Sequence, residues 1–159
     1  MKIAESDRSG VRVFPPLVFL GAGGIAFVIH RFAPLHILPL ARAAPLRMLG
    51  AAVAVASVLL AIWAVSTFGR IGTTANPAGG TTALVSEGPY RFSRNPMYIG
   101  LALLTTGAAL FFDSLWPLLF LPFVVLVVRT HVVLPEERYL ESKFGQPYRD
   151  YKARVRRWI

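Results

Sequence analysis

NPMYIGLALLTTGAALFFDSLWPLLFLPFVVLVVRTHVVLP, residues 95–135, decides the fold of this chain. It holds two apolar runs, 95–112 and 114–135, and the only charge between them is that of Asp113. An α-helix rises about 1.5 Å per residue and the hydrocarbon core of a bilayer is about 30 Å thick, so each run approaches the length of a span. We therefore predict a tight hairpin of two antiparallel, neighbouring helices. The second helix spans only if it continues past Arg129.

The composition of the whole chain agrees with membrane spans. Hydrophobic residues make up 55% and charged residues 16% of the 159 residues, and the mean hydropathy is +0.55, whereas soluble domains are about 45–50% apolar. The chain has no cysteine, which excludes disulfides and thiolate nucleophiles. We predict an all-α polytopic membrane protein, one domain over 1–159, with about four transmembrane helices. Their expected positions are 13–30, 47–68, 95–112 and 114–135.

Basic residues indicate how these spans are oriented. With four spans, the 68–94 loop lies on the same side as both termini, and this side holds most of the Lys and Arg residues. The other side holds only Arg31, Arg42 and Arg47. The positive-inside rule then places both termini in the cytoplasm, and we expect a bacterial inner-membrane protein. The proline-rich segment 33–41 is too short to span and is expected at the far interface.

The net charge of +9 predicts contact with anionic lipid rather than with nucleic acid, since no basic recognition helix is visible.

In the C-terminal part, Pro135 suits a helix start, and Gly145 suits a helix stop. Beyond this stop, aromatic and apolar residues recur at helical spacing: Tyr148, Tyr151, Val155 and Trp158. We expect a cytoplasmic interfacial helix on anionic headgroups, with Tyr and Trp as anchors.

Two polar clusters are predicted to meet at the cytoplasmic face. The first is YRFSRNPMY, residues 90–98. The second consists of Arg129, His131, Glu136 and Glu137. Asn95 lies 18 residues before Asp113 and Arg129 lies 16 residues after it, so in a regular hairpin they reach a similar depth. A cation such as Arg129 inside an apolar span is costly, which suggests a functional site or a pairing partner.

Each member of these clusters also has a structural interpretation. Arg91 and Arg94 obey the positive-inside rule, and Pro96 can simply start a helix that Asn95 caps. Glu136 and its neighbour Glu137 suit the positive end of a helix dipole.

The sequence also lacks the motifs of zinc proteases, serine hydrolases and phosphate-binding loops, and its three His residues are scattered. We expect no metal site. A reaction that needs neither a nucleophile nor a metal fits better, such as methyl transfer from a sulfonium donor. For that reaction the protein mainly aligns two reactants and excludes water.

Two motifs resemble a known family. LVSEGPYRFSRNPMYIG, residues 84–100, and PEERYLESKFGQPYRDYKARV, residues 135–155, are similar to the membrane methyltransferases that include isoprenylcysteine carboxyl methyltransferase and phosphatidylethanolamine N-methyltransferase. The shared pattern is roughly L-V-x-x-G-x-Y-x-x-x-R-H-P-x-Y-x-G, then a hairpin, then E-E-x-x-L-x-x-x-F-G-x-x-Y-x-x-Y. The resemblance covers 82–157, which it identifies as the cofactor-binding half.

The resemblance implies S-adenosyl-L-methionine as the methyl donor, bound at the cytoplasmic face, and an acceptor that enters from the lipid. Carried onto this chain, it implies backbone contacts from the segment that leads into the first motif: Thr82, Ala83, Leu84 and Val85. It places Tyr90 near the cofactor and Glu136 at its polar end. The helix that holds the cofactor would begin with Asn95, Pro96, Met97 and Tyr98.

Two departures from the family pattern bear on the acceptor. Asn95 stands where the family keeps His, and it cannot act as a base near neutral pH. Val132 stands where the prenylcysteine enzymes keep an Arg, although Arg129 could replace that Arg. We therefore favour a phospholipid amine over an isoprenylcysteine-like carboxylate, with His131 or Glu137 as the base.

The candidate catalytic residues are thus Arg129, His131 and Glu137. Two other hypotheses stay open at this point. One is methylation of a small apolar thiol or phenol. The other is a non-catalytic, lipid-binding membrane protein, which the basic amphipathic C-terminal segment would equally suit. The sequence does not determine the oligomeric state.

Overall fold

The structure is a computed structural model that describes residues 13–38, 43–73 and 81–159. In these ranges the chain is helical and contains no strand, which confirms the all-α prediction. The α-helices are α1 Pro15–Phe32, α2 Ala43–Ile71, α3 Pro96–Phe111, α4 Trp116–Val128, α5 Leu134–Phe144 and α6 Gln146–Arg154. A 3₁₀ turn covers Gly88–Arg91, and a π-helical turn, Arg129–Val133, joins α4 to α5.

The apolar helices match the predicted spans, with shifted ends. Within the described ranges, three helices are long and apolar enough to cross a membrane: Pro15–Phe32, Ala44–Ile71 and Trp116–Phe144. The last is continuous through the π turn, so the fourth predicted span does continue past Arg129. The third predicted span, α3, is a shorter apolar helix of 16 residues.

The predicted hairpin between α3 and α4 turns at Asp113, which adopts a φ of 50°. Its buried carboxylate accepts hydrogen bonds from the backbone N–H groups of Ile37 (2.9 Å) and Leu38 (3.1 Å). The connection after α1 is therefore held against this turn, and we call this side of the bundle the hairpin end. Of the segment 33–41, residues 39–41 lie outside the described ranges, and its position relative to lipid stays a prediction.

α2 and α3 pack closely enough for their backbones to touch. A Cβ atom on Gly50 would lie 2.5 Å from the backbone nitrogen of Phe111, and one on Gly107 would lie 2.8 Å from the carbonyl oxygen of Gly50. Farther along the same two helices, the Ser57 hydroxyl of α2 donates a 2.7 Å hydrogen bond to the carbonyl of Gly100 in α3. Lipid tails are as apolar as the helices, so close packing and interhelical hydrogen bonds of this kind hold membrane helices together.

The π turn changes which residues of the fourth span face the bundle. The buried positions along this helix are Val124, Val128, Val132, Val133 and Glu137. The four-residue spacing from Val124 to Val132 thus starts again at Val133, because a π turn accommodates one extra residue. This shift directs Glu137 inward, and Arg129 and His131, which precede it, are exposed.

The C-terminal segment folds back onto the bundle. Tyr148 and Tyr151 are 1% and 4% exposed, so their rings face protein and do not anchor the helix in lipid. α6 also ends at Arg154, and Val155 is extended (φ −116°, ψ 129°), so the expected helical face does not reach Trp158. Contact between anionic headgroups and the exposed basic residues of α6 stays a prediction.

Candidate active site

A cavity opens at the end of the bundle opposite the hairpin, which we call the polar end. It has a narrow arm of about 70 Å³ and a wide arm of about 360 Å³ that extends toward α1. Both arms are lined by Phe68, Tyr90, Arg94, Asn95 and Glu136. Because ligand pockets usually measure about 300–1,000 Å³, the wide arm alone has the size of a ligand site.

Glu136 and Tyr98 meet across the wide arm. The Tyr98 hydroxyl donates a hydrogen bond of 3.1 Å to Oε2 of Glu136. Tyr98 lies in the first turn of α3, and Glu136 lies in the first turn of α5. The hairpin at Asp113 therefore brings the two predicted cofactor-binding segments together, as their spacing indicated.

Glu137 forms ion pairs with two arginines. Its Oε1 lies 2.9 Å from Nη1 of Arg94, and both of its oxygens accept 2.9 Å hydrogen bonds from Nε and Nη2 of Arg157. This hydrogen bonding raises the pKa of the Arg157 guanidinium above its ordinary value, so that side of the pair stays charged. A carboxylate held between two guanidinium groups is a poor proton acceptor. The predicted role of Glu137 as a base therefore gains no support from its contacts.

Arg94 keeps a buried donor for a ligand. Its side chain is 9% exposed, and its Nε is buried without a hydrogen-bond partner among the residues that the structure describes. The phenol of Tyr148 lies on the same narrow arm, where burial raises its pKa to about 12 and keeps it neutral. An unsatisfied buried guanidinium N–H is costly. The arrangement therefore favours an anionic or oxygen-bearing ligand beside Arg94.

Asn95 holds the C-terminal tail. Its Nδ2 donates to the carbonyl of Arg157 at 2.9 Å, and the hydroxyl of Ser93 donates to the same carbonyl at 3.2 Å. Asn95 holds the N-cap position of α3, as predicted, but its side chain makes no capping hydrogen bond to the helix. Since the partner is a carbonyl oxygen, the contact needs an N–H donor and no titrating group.

Most of the predicted cofactor segment reaches the cavity. Ala83, Leu84 and Val85 line the narrow arm, and Met97 lines the wide arm. Thr82 is exposed, and its backbone N–H donates a hydrogen bond to the side-chain hydroxyl of Thr73. Thr82 and Pro96, which is buried at the start of α3, are therefore the two members of the predicted cofactor set outside the lining of both arms.

Arg129 and His131 lie away from the cavity. Both are exposed and line neither arm, and Nδ1 of His131 lies 2.8 Å from the Thr130 hydroxyl on its own helix. Arg129 directly follows the buried Val128 of α4, so it already faces outward where the π turn begins. Their catalytic role stays a prediction that the geometry does not favour. In the described ranges, no group of His, Asp and Glu residues is placed to hold a metal ion.

Sequence reasoning missed several residues of the site. Tyr148 and Tyr151 were visible as the last two positions of the family pattern, but their regular spacing suggested lipid contact. In the structure the Tyr151 hydroxyl donates to the carbonyl of Tyr90 at 2.8 Å, which ties α6 to the cavity wall. Phe68 packs edge-on against the ring of Tyr90, with centroids 5.3 Å apart. Arg157 had no local signal, because its partner Glu137 is distant along the chain.

Comparisons with known proteins identify the family of this chain. A family model described as phospholipid methyltransferase matches residues 46–147. An uncharacterized protein of Haemophilus influenzae is 40% identical over 63 residues, which are 40% of this chain and 100% of that protein. No solved structure matches. The family match covers more than half of the chain, includes most of α2 and all of α3 to α5, and contains most of the cavity lining. The chain therefore belongs to the phospholipid methyltransferase family, whose members are membrane methyltransferases.

Proposed function

We propose that this protein transfers a methyl group from S-adenosyl-L-methionine to a lipid-borne acceptor at the polar cavity. The observation that carries the proposal is that a buried guanidinium donor and a carboxyl group line the same cavity. Arg94 presents a buried donor without a partner, and Glu136 presents a carboxylate in the same space. A ligand with both an anionic and a cationic group satisfies both side chains.

The cofactor has the groups that these residues require. Its carboxylate suits Arg94, and its ammonium or its ribose hydroxyls suit Glu136, which Tyr98 orients through the hydrogen bond at 3.1 Å. The segment of Ala83, Leu84 and Val85 supplies the remaining wall. When bound, the sulfonium cofactor supplies a methyl group that is already activated. The chain itself has to align the acceptor and exclude water.

The acceptor side of the cavity is apolar. Phe14, Pro15 and Pro16 of the α1 start face Met97 and Leu101 across the wide arm. A phospholipid amine that enters this space is desolvated, which lowers its pKa and frees its lone pair without a dedicated base. A phospholipid amine is the favoured acceptor for this reason, and because Val132 is fully buried where prenylcysteine enzymes keep Arg.

Carboxyl methylation of an isoprenylcysteine-like lipid is the second candidate. The buried Nε of Arg94 favours it, since a guanidinium can orient a carboxylate. Both candidates place the chemistry at the polar end.

We further propose that the protein lies in a bacterial inner membrane with both termini in the cytoplasm. The basic residues at the polar end, with exposed Arg149 and Lys152 on α6, support this orientation.

The cofactor proposal is tested by calorimetric titration of the detergent-solubilised protein with S-adenosylhomocysteine. We expect the wild type to bind and Glu136→Ala to lose at least about tenfold in affinity, because a hydrogen bond to a charged group contributes about 1.5–3 kcal/mol. Glu141→Ala is the matched control, since Glu141 lies on the same helix but pairs with Lys152 outside the cavity. Wild-type affinity in Glu136→Ala would contradict the proposed site.

A second measurement identifies the acceptor. Membranes incubated with donor that carries a labelled methyl group are extracted, and the label is followed into phospholipid, prenylcysteine or small thiols and phenols. We expect label in phosphatidylethanolamine derivatives. Donor binding without label in any lipid would exclude the lipid acceptor, and the absence of donor binding would favour a non-catalytic lipid-binding protein.

A further inference from the structure

The C-terminal tail that follows α6 is attached to the segment before α3 by its backbone. The backbone N–H of Arg94 donates a hydrogen bond of 3.0 Å to the carbonyl of Arg156, and the side chain of Asn95 donates one of 2.9 Å to the carbonyl of Arg157. Trp158 packs against a buried apolar cluster of the bundle. None of these contacts uses the guanidinium group of Arg157, so the tail has attachments that do not depend on this side chain.

The guanidinium group of Arg157 reaches the site through Glu137. Arg157 lines neither arm of the cavity, and its Nε and Nη2 each donate a hydrogen bond of 2.9 Å to the carboxylate of Glu137. The same carboxylate lies 2.9 Å from Nη1 of Arg94, whose side chain lines both arms. Arg157 engages both oxygens of Glu137, whereas Arg94 contacts Oε1. Arg157 therefore acts on the cavity through Glu137 and Arg94.

The charges of these three side chains decide what Arg94 attracts. Two guanidinium groups and one carboxylate leave one positive charge in excess. Without the side chain of Arg157, Arg94 and Glu137 would form an isolated pair whose charges cancel. Glu136 adds a second carboxyl group to the same cavity, so the carboxyl groups would then outnumber the guanidinium groups. Because the side chain of Arg94 is 9% exposed, water screens its charge only weakly.

We propose that Arg157 is a positioning residue for the methyl donor: it offsets the charge of Glu137, so that Arg94 keeps its charge for the carboxylate of the donor. This inference rests on the proposed function. It accounts for the buried Nε of Arg94, which has no hydrogen-bond partner among the described residues although a carboxylate lies beside the same guanidinium group. Glu137 holds Arg94 in place, and Arg157 prevents Glu137 from neutralising it.

The inference is tested by calorimetric titration of the detergent-solubilised full chain with two ligands. One is S-adenosylhomocysteine, and the other is methylthioadenosine, which keeps the adenosine and the thioether but lacks the carboxylate. We expect Arg157→Gln to bind S-adenosylhomocysteine at least about tenfold more weakly than the wild type, because hydrogen bonds between charged groups are the strong ones. Its affinity for methylthioadenosine should equal that of the wild type, which also shows that the fold is retained.

Arg156→Gln is the matched control for this titration. It removes the same charge one position earlier, from an exposed side chain, and it keeps the backbone carbonyl that Arg94 contacts. We expect this variant to bind both ligands as the wild type does. Equal affinities for S-adenosylhomocysteine in the two variants would overturn the inference. So would an equal loss of affinity for both ligands in Arg157→Gln, because a general disturbance of the cavity would then explain the effect.

A compensating substitution separates positioning from a purely structural role. In the double variant Glu137→Gln and Arg157→Gln, the carboxylate that Arg157 offsets is removed as well, so Arg94 regains an uncompensated charge. We expect this double variant to bind S-adenosylhomocysteine several-fold more tightly than Arg157→Gln alone, and Arg157→Lys, which keeps the charge, to do the same. If Arg157 serves only to hold the tail, the double variant binds no better than Arg157→Gln, and this result overturns the inference.

The wild type distinguishes failure of this inference from failure of the proposed function. If the wild type does not bind S-adenosylhomocysteine, the proposed function is overturned, and the role of Arg157 falls with it. If the wild type binds and Arg157→Gln binds equally well, only the role of Arg157 is overturned.

Discussion

α3 is packed in opposite ways on its two sides. Toward α2 it is closed, since Gly50 and Gly107 bring backbones into contact and Ser57 adds a buried hydrogen bond to Gly100. Toward α1 it is open, since Gly23 borders free space. Glycine therefore has two different structural roles in this bundle. It allows close helix contact on one side of α3 and borders an open groove between α1 and α3 on the other.

The largest expected effect comes from breaking the closed side with Gly50→Leu. Its Cβ would already strike the backbone of Phe111 at 2.5 Å, so the helices must separate. Overpacking costs about 1–3 kcal/mol, and a clash with backbone falls at or above the upper end of that range. Thermal unfolding in detergent should show a clear fall in Tm. Gly24→Leu, on the open side, is the control, and an equal fall in Tm for both variants would remove the distinction between the two sides.

A smaller effect is expected from Ser57→Ala, which removes the hydrogen bond of 2.7 Å to the carbonyl of Gly100. Interhelical hydrogen bonds in membranes contribute about 0.6 kcal/mol on average. Unfolding in mixed micelles should reveal a loss of this size. Ser66→Ala is the control, because the Ser66 hydroxyl bonds within its own helix to the carbonyl of Trp63. A loss as large in Ser66→Ala would mean that the interhelical bond contributes nothing specific.

The smallest loss of stability is expected from Gly24→Ala. The added methyl group meets nothing within 4 Å, and Ala is a better helix former than Gly. We expect the free energy of unfolding to stay within about 1 kcal/mol of the wild type and, if it changes, to rise. Gly107→Ala should lower it instead, because its Cβ would lie 2.8 Å from backbone atoms. A fall in the free energy of unfolding for Gly24→Ala that matches the fall for Gly107→Ala would show that the space beside Gly24 is closed in solution.

The site was predictable from the sequence where the helices are regular, and it was not predictable near the π turn. Asp113 stood alone between two apolar runs, and the hairpin that it predicts does bring Tyr98 to Glu136. The resemblance to a family was likewise local, because it depends on short motifs. The outward direction of Arg129 and His131 was not predictable in this way, because it depends on which face of the fourth span packs against the bundle. The π turn over RTHVV, which shifts that face by one residue, has no signal in the local sequence.

By itself, the sequence determined the all-helical membrane fold, the hairpin and the family, because hydropathy, span length and short motifs are properties of neighbouring residues. Only the tertiary structure decided what Asn95 and Glu137 do. Both contact Arg157 of the C-terminal tail, 62 and 20 residues away, and Glu137 also pairs with Arg94; no local pattern specifies such contacts. The open side of α3 was decided there as well, since empty space beside a glycine depends on where the neighbouring helix lies.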